Sequence, residues 1–348
     1  MSHSRSLLFI GATGYIGGTI LSSLTDSSQA ATGDLSITAV VRKESQAKLL
    51  KEKGIQAVVL SGGLDDTKGL TELARQHDIV LNGATGFHGS SARAFIEGLA
   101  QRREASDTEV FYIHLSGTSN LSVGGVSGRG GELRTFSDNE DGIYEYEVER
   151  EASDPYRQRT SDVTVVETGE KLGVRTYIIM PPLVWGTGTG LFHRVSHQIP
   201  ELIQNAAQSK QLEYISPGTS TLGHVHVTDL AALFKTVLIN AIKNPSLPAG
   251  RKGFFFANTG SHAWLEVAQR LAKAGNELGH LKSPVPVGVS LTEIAAKLYD
   301  GDEVQAERVH ASSSSSVAVK SYELGWTPVK TEEDWQAYGV EAFRTTLG

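Results

Sequence analysis

Residues 7–18 read Leu-Leu-Phe-Ile-Gly-Ala-Thr-Gly-Tyr-Ile-Gly-Gly, an apolar strand that runs directly into Gly11, Gly14 and Gly17 and then into an amphipathic segment reaching Leu24. Gly11 permits a tight strand-to-helix turn, Gly14 removes a Cβ from the path of a phosphate, and Gly17 lets the helix lie close on the sheet. The helix N-terminus then presents backbone N–H groups to a dinucleotide pyrophosphate. Charge-assisted hydrogen bonds of about 1.5–3 kcal/mol each outweigh a macrodipole contribution of about 0.3–1 kcal/mol, so the turn geometry dominates. The contacts expected from this turn are Gly11, Thr13, Gly14, Tyr15, Ile16 and Gly17.

Behind the turn, short apolar runs alternate with helical patterns. Strands are expected near Leu7–Ile10, Ile37–Val41, Ala57–Leu60, Ile79–Asn82 and Val110–Leu115, and at Arg175–Met180 after a helix from about Pro155 to Leu172. This alternation builds a parallel sheet covered on both faces. The expected fold class is α/β, a Rossmann-type doubly wound parallel sheet with a smaller, interleaved C-terminal substrate lobe. Residues 1–186 are assigned to the dinucleotide-binding domain, with 223–259 partly returning to it, and 187–222 and 260–348 to the lobe. Helices near Ser196–Gln208, Asp229–Asn240, Ala263–Leu278 and Leu291–Tyr299 and a strand near Leu212–Ile215 are expected in this second half. The Gly-rich stretch Ser119–Asp141 leaves the carboxyl edge of the sheet, where such folds bind ligands, and reads as a mobile active-site flap. Ser312–Ser316 reads as a helix-capping loop before Val317–Leu324.

With 348 residues, 39% apolar and 20% charged, the chain can bury one large core or a core plus a smaller lobe. A net charge of −7 without a Lys/Arg-rich stripe argues against nucleic acid and anionic membrane as partners. No run approaches the roughly 18 apolar residues of a membrane span, and Met1–Ser6 holds no signal core, so the expected location is cytoplasmic. The absence of cysteine excludes disulfides, thiolate catalysis and Cys-based zinc sites. His224 and His226 alternate on a strand-like segment, but no carboxylate cluster completes a ligand set, and no metal site is expected. His193 and His197, four residues apart, have the spacing of one helical face. The expected partner is a small-molecule substrate, with homodimer formation left open.

Five motifs stand in order: Gly-Ala-Thr-Gly-Tyr-Ile-Gly at 11–17, His-Leu-Ser-Gly-Thr at 114–118, Pro-Pro-Leu-Val-Trp-Gly at 181–186, His-Val-His-Val-Thr-Asp-Leu at 224–230 and Leu-Gly-Trp-Thr-Pro at 324–328. Together they resemble the extended short-chain dehydrogenase/reductases. The resemblance implies a doubly wound domain holding NAD(P) and a C-terminal lobe that shapes the substrate pocket. It also implies that Asn82, Gly83, Ala84 and Thr85 form a wall beside the riboses, and that Pro181, Leu183 and Val184 lie with the cofactor. His226 then belongs to a packing motif in which Asp229 caps the next helix. Many NAD-binding relatives carry an acid after the second strand, where it accepts from the ribose 2′-OH. Here that strand ends in Arg42 and Lys43, a cationic pair suited to a 2′-phosphate, so NADP(H) is expected over NAD(H). After the third strand Gly62-Gly63-Leu64-Asp65 stands where relatives carry Gly-Asp-Leu, which displaces their adenine-contacting acid.

Catalytic relatives combine a Ser/Thr after the fifth strand, a Tyr, and a Lys four residues beyond it. Bringing a phenol from a pKa of about 10 to neutrality needs roughly 4 kcal/mol of differential stabilisation, which the lysine and nicotinamide charges help supply. In this chain the tyrosine position falls on Tyr156 and the lysine position on Thr160, with Arg157 and Arg159 nearby; Tyr146 and Arg150 repeat a tyrosine-to-cation spacing upstream. The hydroxyl position falls on Gly117 or, one residue on, Thr118, with Ser116 beside it. A tyrosine near its ordinary pKa donates a proton at neutral pH but accepts one poorly, which favours reduction over oxidation. The expectation is a reductase of a small organic carbonyl or activated double bond, with Tyr156 donating the proton, Thr118 or Ser116 holding the oxygen, and Arg159 as the nearby cation. Phe87, His88, Trp185 and His226 are the candidate substrate-lining residues. The alternatives are a catalytically silent dinucleotide sensor, or a non-redox epimerase, isomerase or cyclase using the same pocket.

Overall fold

The computed structural model describes residues 5–26, 35–140 and 142–348. Seven strands form one parallel sheet: β1 (Arg5–Ile10), β2 (Leu35–Val41), β3 (Gln56–Val59), β4 (Ile79–Asn82), β5 (Phe111–Leu115), β6 (Arg175–Met180) and β7 (Phe254–Phe256). Their spatial order is β3-β2-β1-β4-β5-β6-β7, with Leu7 beside Ile37 and Ile79, Leu81 beside Ile113, and Phe255 beside Ile179. Every side chain of β4, β5 and β7 is buried, as a sheet covered on both faces requires. Strand order reverses between β1 and β4, which opens a crevice beyond their carboxyl ends.

The crossovers are α1 (Tyr15–Thr25), α2 (Glu44–Glu52), α3 (Thr67–Ala74) and α4 (Gly89–Ser106), then α5 (Ile143–Ser153) and α6 (Arg157–Leu172) between β5 and β6. Right-handed connections send α3, α4 and α6 to one face in a contiguous row, while α1 packs against α8 (Val227–Lys243) on the other. Helix α5 escapes an apolar pattern because its buried face mixes Ile143 and Tyr144 with Glu147 and Arg150.

The remaining helices are α7 (Gln198–Ser209), α9 (Trp264–Glu277), α10 (Leu291–Leu298), α11 (Glu303–His310), α12 (Val319–Glu323) and α13 (Glu332–Leu347). A second hydrophobic core gathers Ile199, Leu202, Ile203, Leu271 and Phe343 from α7, α9 and α13, and a small third one gathers Ile215, Ile294 and Ala306. Leu183 and Trp185 pack in the second core, whereas Ala318 and Trp326 pack in the core of the main sheet, so both parts of the chain exchange residues across the assigned boundaries. His193 and His197 share no helical face: His197 is the N-cap of α7 and His193 lies in the loop before it.

The expected flap is a fixed strap. Val123–Gly124 pairs with Ser312–Ser313, and Thr135–Ser137 pairs with Ser315–Val317, so the serine run expected to cap a helix supplies two short strands instead. Asp138 fixes the strap further, accepting from the backbone of Lys320 at 2.7 Å, from that of Phe256 at 3.1 Å, and from Ser321 Oγ at 3.2 Å. Asp141, part of the same sequence reading, lies outside the described residues. Periodicity misses these pairings because their partners are far away in the chain.

Candidate functional site

The glycine turn divides its labour. Gly11 has φ +100°, and a Cβ there would fall 2.6 Å from Ala84 N and Gly83 C. A Cβ on Gly17 would overlap the Gly11 carbonyl, so both positions are set by packing of the turn itself. Gly14 differs: its φ is −89°, and the nearest atom to a Cβ would be Gly11 O at 3.5 Å. The space in front of it is open. Helix α1 starts at Gly14 with no side-chain cap and no acid in its first turn, which leaves its N–H groups and positive end facing the groove. These features fit a pyrophosphate.

The groove is a cavity of about 560 Å³ lined by Gly11, Thr13 and Gly14, by Arg42 at the end of β2, by the turn Ser61–Asp65, and by Ala84, Thr85 and His88. Arg42 is exposed and has no carboxylate partner among the described residues. Lys43 stands at the N-cap of α2, outside the lining. Asn82 is fully buried and shapes the wall rather than facing the groove: its Oδ1 accepts Ala84 N at 3.0 Å and its Nδ2 donates to Thr85 O at 3.0 Å. Gly83 belongs to the same wall, with a Cβ position 3.2 Å from Gly17 Cα. Tyr15 turns to the rim, donating to Gly186 O at 2.7 Å, while Ile16 packs on the sheet core. His88 caps α4 and meets Asp65 at 3.1 Å, which places it with Arg42 and the β3 turn rather than with Tyr156. Asp65, the displaced acid of the sequence, is therefore held by a histidine.

Tyr156 is the N-cap of α6 and sits half-buried where that helix faces the end of β5. Its ring meets Phe87 edge-on at 5.7 Å, and the Arg308 guanidinium lies 3.8 Å from its centroid. The phenol donates to Ser119 Oγ at 3.3 Å, and Ser119 donates in turn to Gln158 Oε1 at 2.5 Å. Ser119 is thus the hydroxyl beside the phenol, in place of the two expected. Thr118 is buried and pairs with Ser314 Oγ at 3.2 Å, while Ser116 donates to buried Asp162 at 2.5 Å. Arg159 is also displaced from its expected role: it is fully buried, bonding Asn120 O at 3.2 Å and Asp154 O at 2.6 Å. Thr160, at the lysine position, bonds Glu151 on the exposed side of α6. Burial raises the Tyr156 pKa, and the Ser119 hydrogen bond and the Arg308 and Arg159 charges offset this only partly. The phenol keeps its proton at neutral pH.

Beneath Ser116 lies a buried acid pair that sequence reasoning missed. Asn120 Nδ2 bridges Asp162 Oδ2 and Glu147 Oε1, each at 2.8 Å, and His114 Nε2 stands 3.5 Å from Asp162. Burial pushes Asp162 up to about 8 and raises Glu147 well above the carboxylate range, while His114 is lowered to about 3 and stays neutral. The two carboxyls hold a proton at neutral pH, because two uncompensated charges there are too costly.

Trp185 and His226 are packing residues. Trp185 is buried, 4.6 Å from the His226 ring and 5.2 Å from that of Tyr338. His226, not Asp229, caps α8, by accepting Thr228 N; Asp229 instead accepts Val329 N at 2.9 Å and Lys330 N at 3.0 Å. Pro181 O accepts Thr118 N at 3.0 Å, Leu183 joins the lobe core, and Val184 packs half-buried on the sheet core. Among the described residues, no helix is long and apolar enough to cross a membrane.

Residues 7–246 match the NAD dependent epimerase/dehydratase family. The chain belongs to that family. "Oxidase ucsJ" from an Acremonium species is 26% identical over 284 residues, 77% of this chain and 78% of that one. Among solved structures, the dTDP-glucose 4,6-dehydratase DesIV of Streptomyces venezuelae, with NAD and TYD bound, superposes with a TM-score of 0.68 at 15% identity, covering 98% of this chain and 97% of that one. A UDP-glucose 4-epimerase of Thermotoga maritima, with UDP-glucose, gives 0.62 at 15% identity, covering 99% and 100%. Membership of the epimerase/dehydratase family makes this an enzyme of the short-chain dehydrogenase/reductase type, with a nicotinamide dinucleotide as its cofactor class.

Proposed function

We propose that the protein is an NADP(H)-dependent reductase of a small organic carbonyl or activated double bond, with Tyr156 as the proton donor. The observation that carries this reading is a protonated phenol at the mouth of α6, with Thr160 where a lysine would stand and with the Arg308 and Arg159 charges too weak to offset its burial. A reduced nicotinamide, when bound, supplies the hydride. The chain supplies the rest. Gly14 and the N-terminus of α1 hold the pyrophosphate, and Arg42, which has no carboxylate partner among the described residues, suits a 2′-phosphate. Ser119, its own proton committed to Gln158, orients the phenolic hydrogen, which turns to the substrate oxygen when that oxygen arrives. Phe87 shields one edge of the ring from water.

The test is NADPH consumption against a panel of aldehydes, ketones and enones by the native protein and by Tyr156→Phe. Oxidation of NADPH by the native protein, falling at least about tenfold in the variant, supports the assignment. A protein that binds NADPH but consumes none would be a sensor. Turnover with no net change in cofactor would make it an epimerase or isomerase.

A further inference from the structure

Resting on that reading, we infer that the substrate carries a carboxylate close to its reacting carbonyl, and that Arg308, stacked on the Tyr156 ring, binds it. Three guanidinium groups converge on one acid, Asp154, two residues before Tyr156. Arg129 meets it at 3.1 Å, but Arg150 and Arg308 stand off at 3.5 and 3.7 Å. Two other acids nearby are committed elsewhere: Glu307 to the strap, accepting Val126 N, Ser127 N and Ser127 Oγ at 2.6–2.8 Å, and Glu151 to Tyr156 N at 3.0 Å, Arg159 and Thr160.

Arg308 is only 14% exposed, yet none of its side-chain N–H groups hydrogen-bonds another described residue. Arg150, 8% exposed, leaves its buried Nε without a partner. The rest of the Arg150 guanidinium donates to Tyr146 Oη at 2.7 Å and Asp154 at 3.5 Å, so it is the Arg308 N–H groups and the Arg150 Nε that gain from a ligand oxygen. A carboxylate matches the planar fork of an arginine, and Asp154 already shows that chemistry in the cluster. The void among Ser122, Arg129, Arg150, Glu307 and Arg308 is about 10 Å³, room for one oxygen of a carboxylate and too small for a diphosphate. Because the Arg308 guanidinium lies on the ring that donates the proton, the anion and the reacting carbonyl belong to one small molecule, an oxo acid.

The experiment uses pyruvate and acetoacetate, each paired with its methyl ester, as substrates with NADPH and as ligands of the NADP⁺-loaded protein in calorimetry. The native protein is expected to favour acid over ester by about 10- to 100-fold in kcat/KM and in affinity. Arg308→Met raises KM for the acids by that factor and erases the preference, while Arg308→Lys restores part of it and shows that the loss is one of charge rather than of folding. Acid binding that depends on Arg308 without any reduction leaves the anion site standing and removes the reductase. Acid and ester bound alike or not at all by the native protein, or acid binding unchanged in Arg308→Met, overturns the site.

Discussion

The lobe contains a histidine pair whose cost in acid can be worked out. His224 and His262 face each other Nδ1 to Nδ1 at 3.3 Å, both almost wholly buried; His224 stacks on Trp335 at 4.5 Å and His262 packs tilted against it at 5.0 Å. Arg270 lies against Trp335 and adds positive charge, and Glu332 reaches His224 Nε2 only at 3.5 Å from an exposed position. Burial, with the Arg270 charge, lowers His224 to about 4, and burial, with the His224 and Arg270 charges, lowers His262 to about 3. Unfolded histidine titrates near about 6.5. The unfolded chain therefore binds protons that the native pair refuses. The stability is fully present above the unfolded pKa and is lost as pH falls towards the native values. At about pH 5.5 each ring costs about 1.4 kcal/mol relative to neutrality, about 3 kcal/mol for the pair. Urea unfolding at about pH 7.5 and about pH 5.5 measures the loss in the native protein and in His224→Phe/His262→Phe, which keeps the aromatic stack. The double variant should lose about 3 kcal/mol less between the two pH values. An equal loss in both proteins would refute the linkage, whatever the absolute stability of the variant.

Other outcomes follow from the groove and the acid pair. Gly14→Ala should leave the unfolding midpoint near that of the native protein but weaken dinucleotide binding in calorimetry by about tenfold or more, because its Cβ enters open space meant for phosphate. Gly17→Ala should instead lower the unfolding midpoint, because its Cβ strikes the Gly11 carbonyl. Arg42→Ala should reduce affinity for NADPH by about 10- to 100-fold and leave NADH unchanged; equal effects on both would remove the 2′-phosphate role. Asp162, raised from its usual range to about 8, contributes stability that is present at acid pH and lost as pH rises through that value. Asp162→Asn should flatten the decline in unfolding free energy between about pH 4 and about pH 8, and an unchanged decline there would show that the pair does not hold its proton.

Much of the sheet is legible in the chain because parallel strands covered on both faces are continuous apolar runs; Ile79–Asn82 and Arg175–Met180 match their expected bounds. The strap reads as mobile because its glycines and polar residues show no period, and only pairing with Ser312–Val317 gives them order. Motif spacing points to Tyr156, but it points to Thr118 or Ser116 for the hydroxyl partner, whereas the fold turns Ser119 towards the phenol. Trp185 and His226 resemble pocket residues in a strand-end motif, yet the lobe closes over both.

The amino-acid order alone determined the strand–glycine–helix groove and the cation after β2, because those features act over a few consecutive residues whose backbone geometry is local. What surrounds Tyr156 was decided by tertiary structure. Phe87, Ser119, Gln158 and Arg308 come from four separate stretches of chain, and only the packing of α6, the strap and α11 against one another brings their side chains to one phenol.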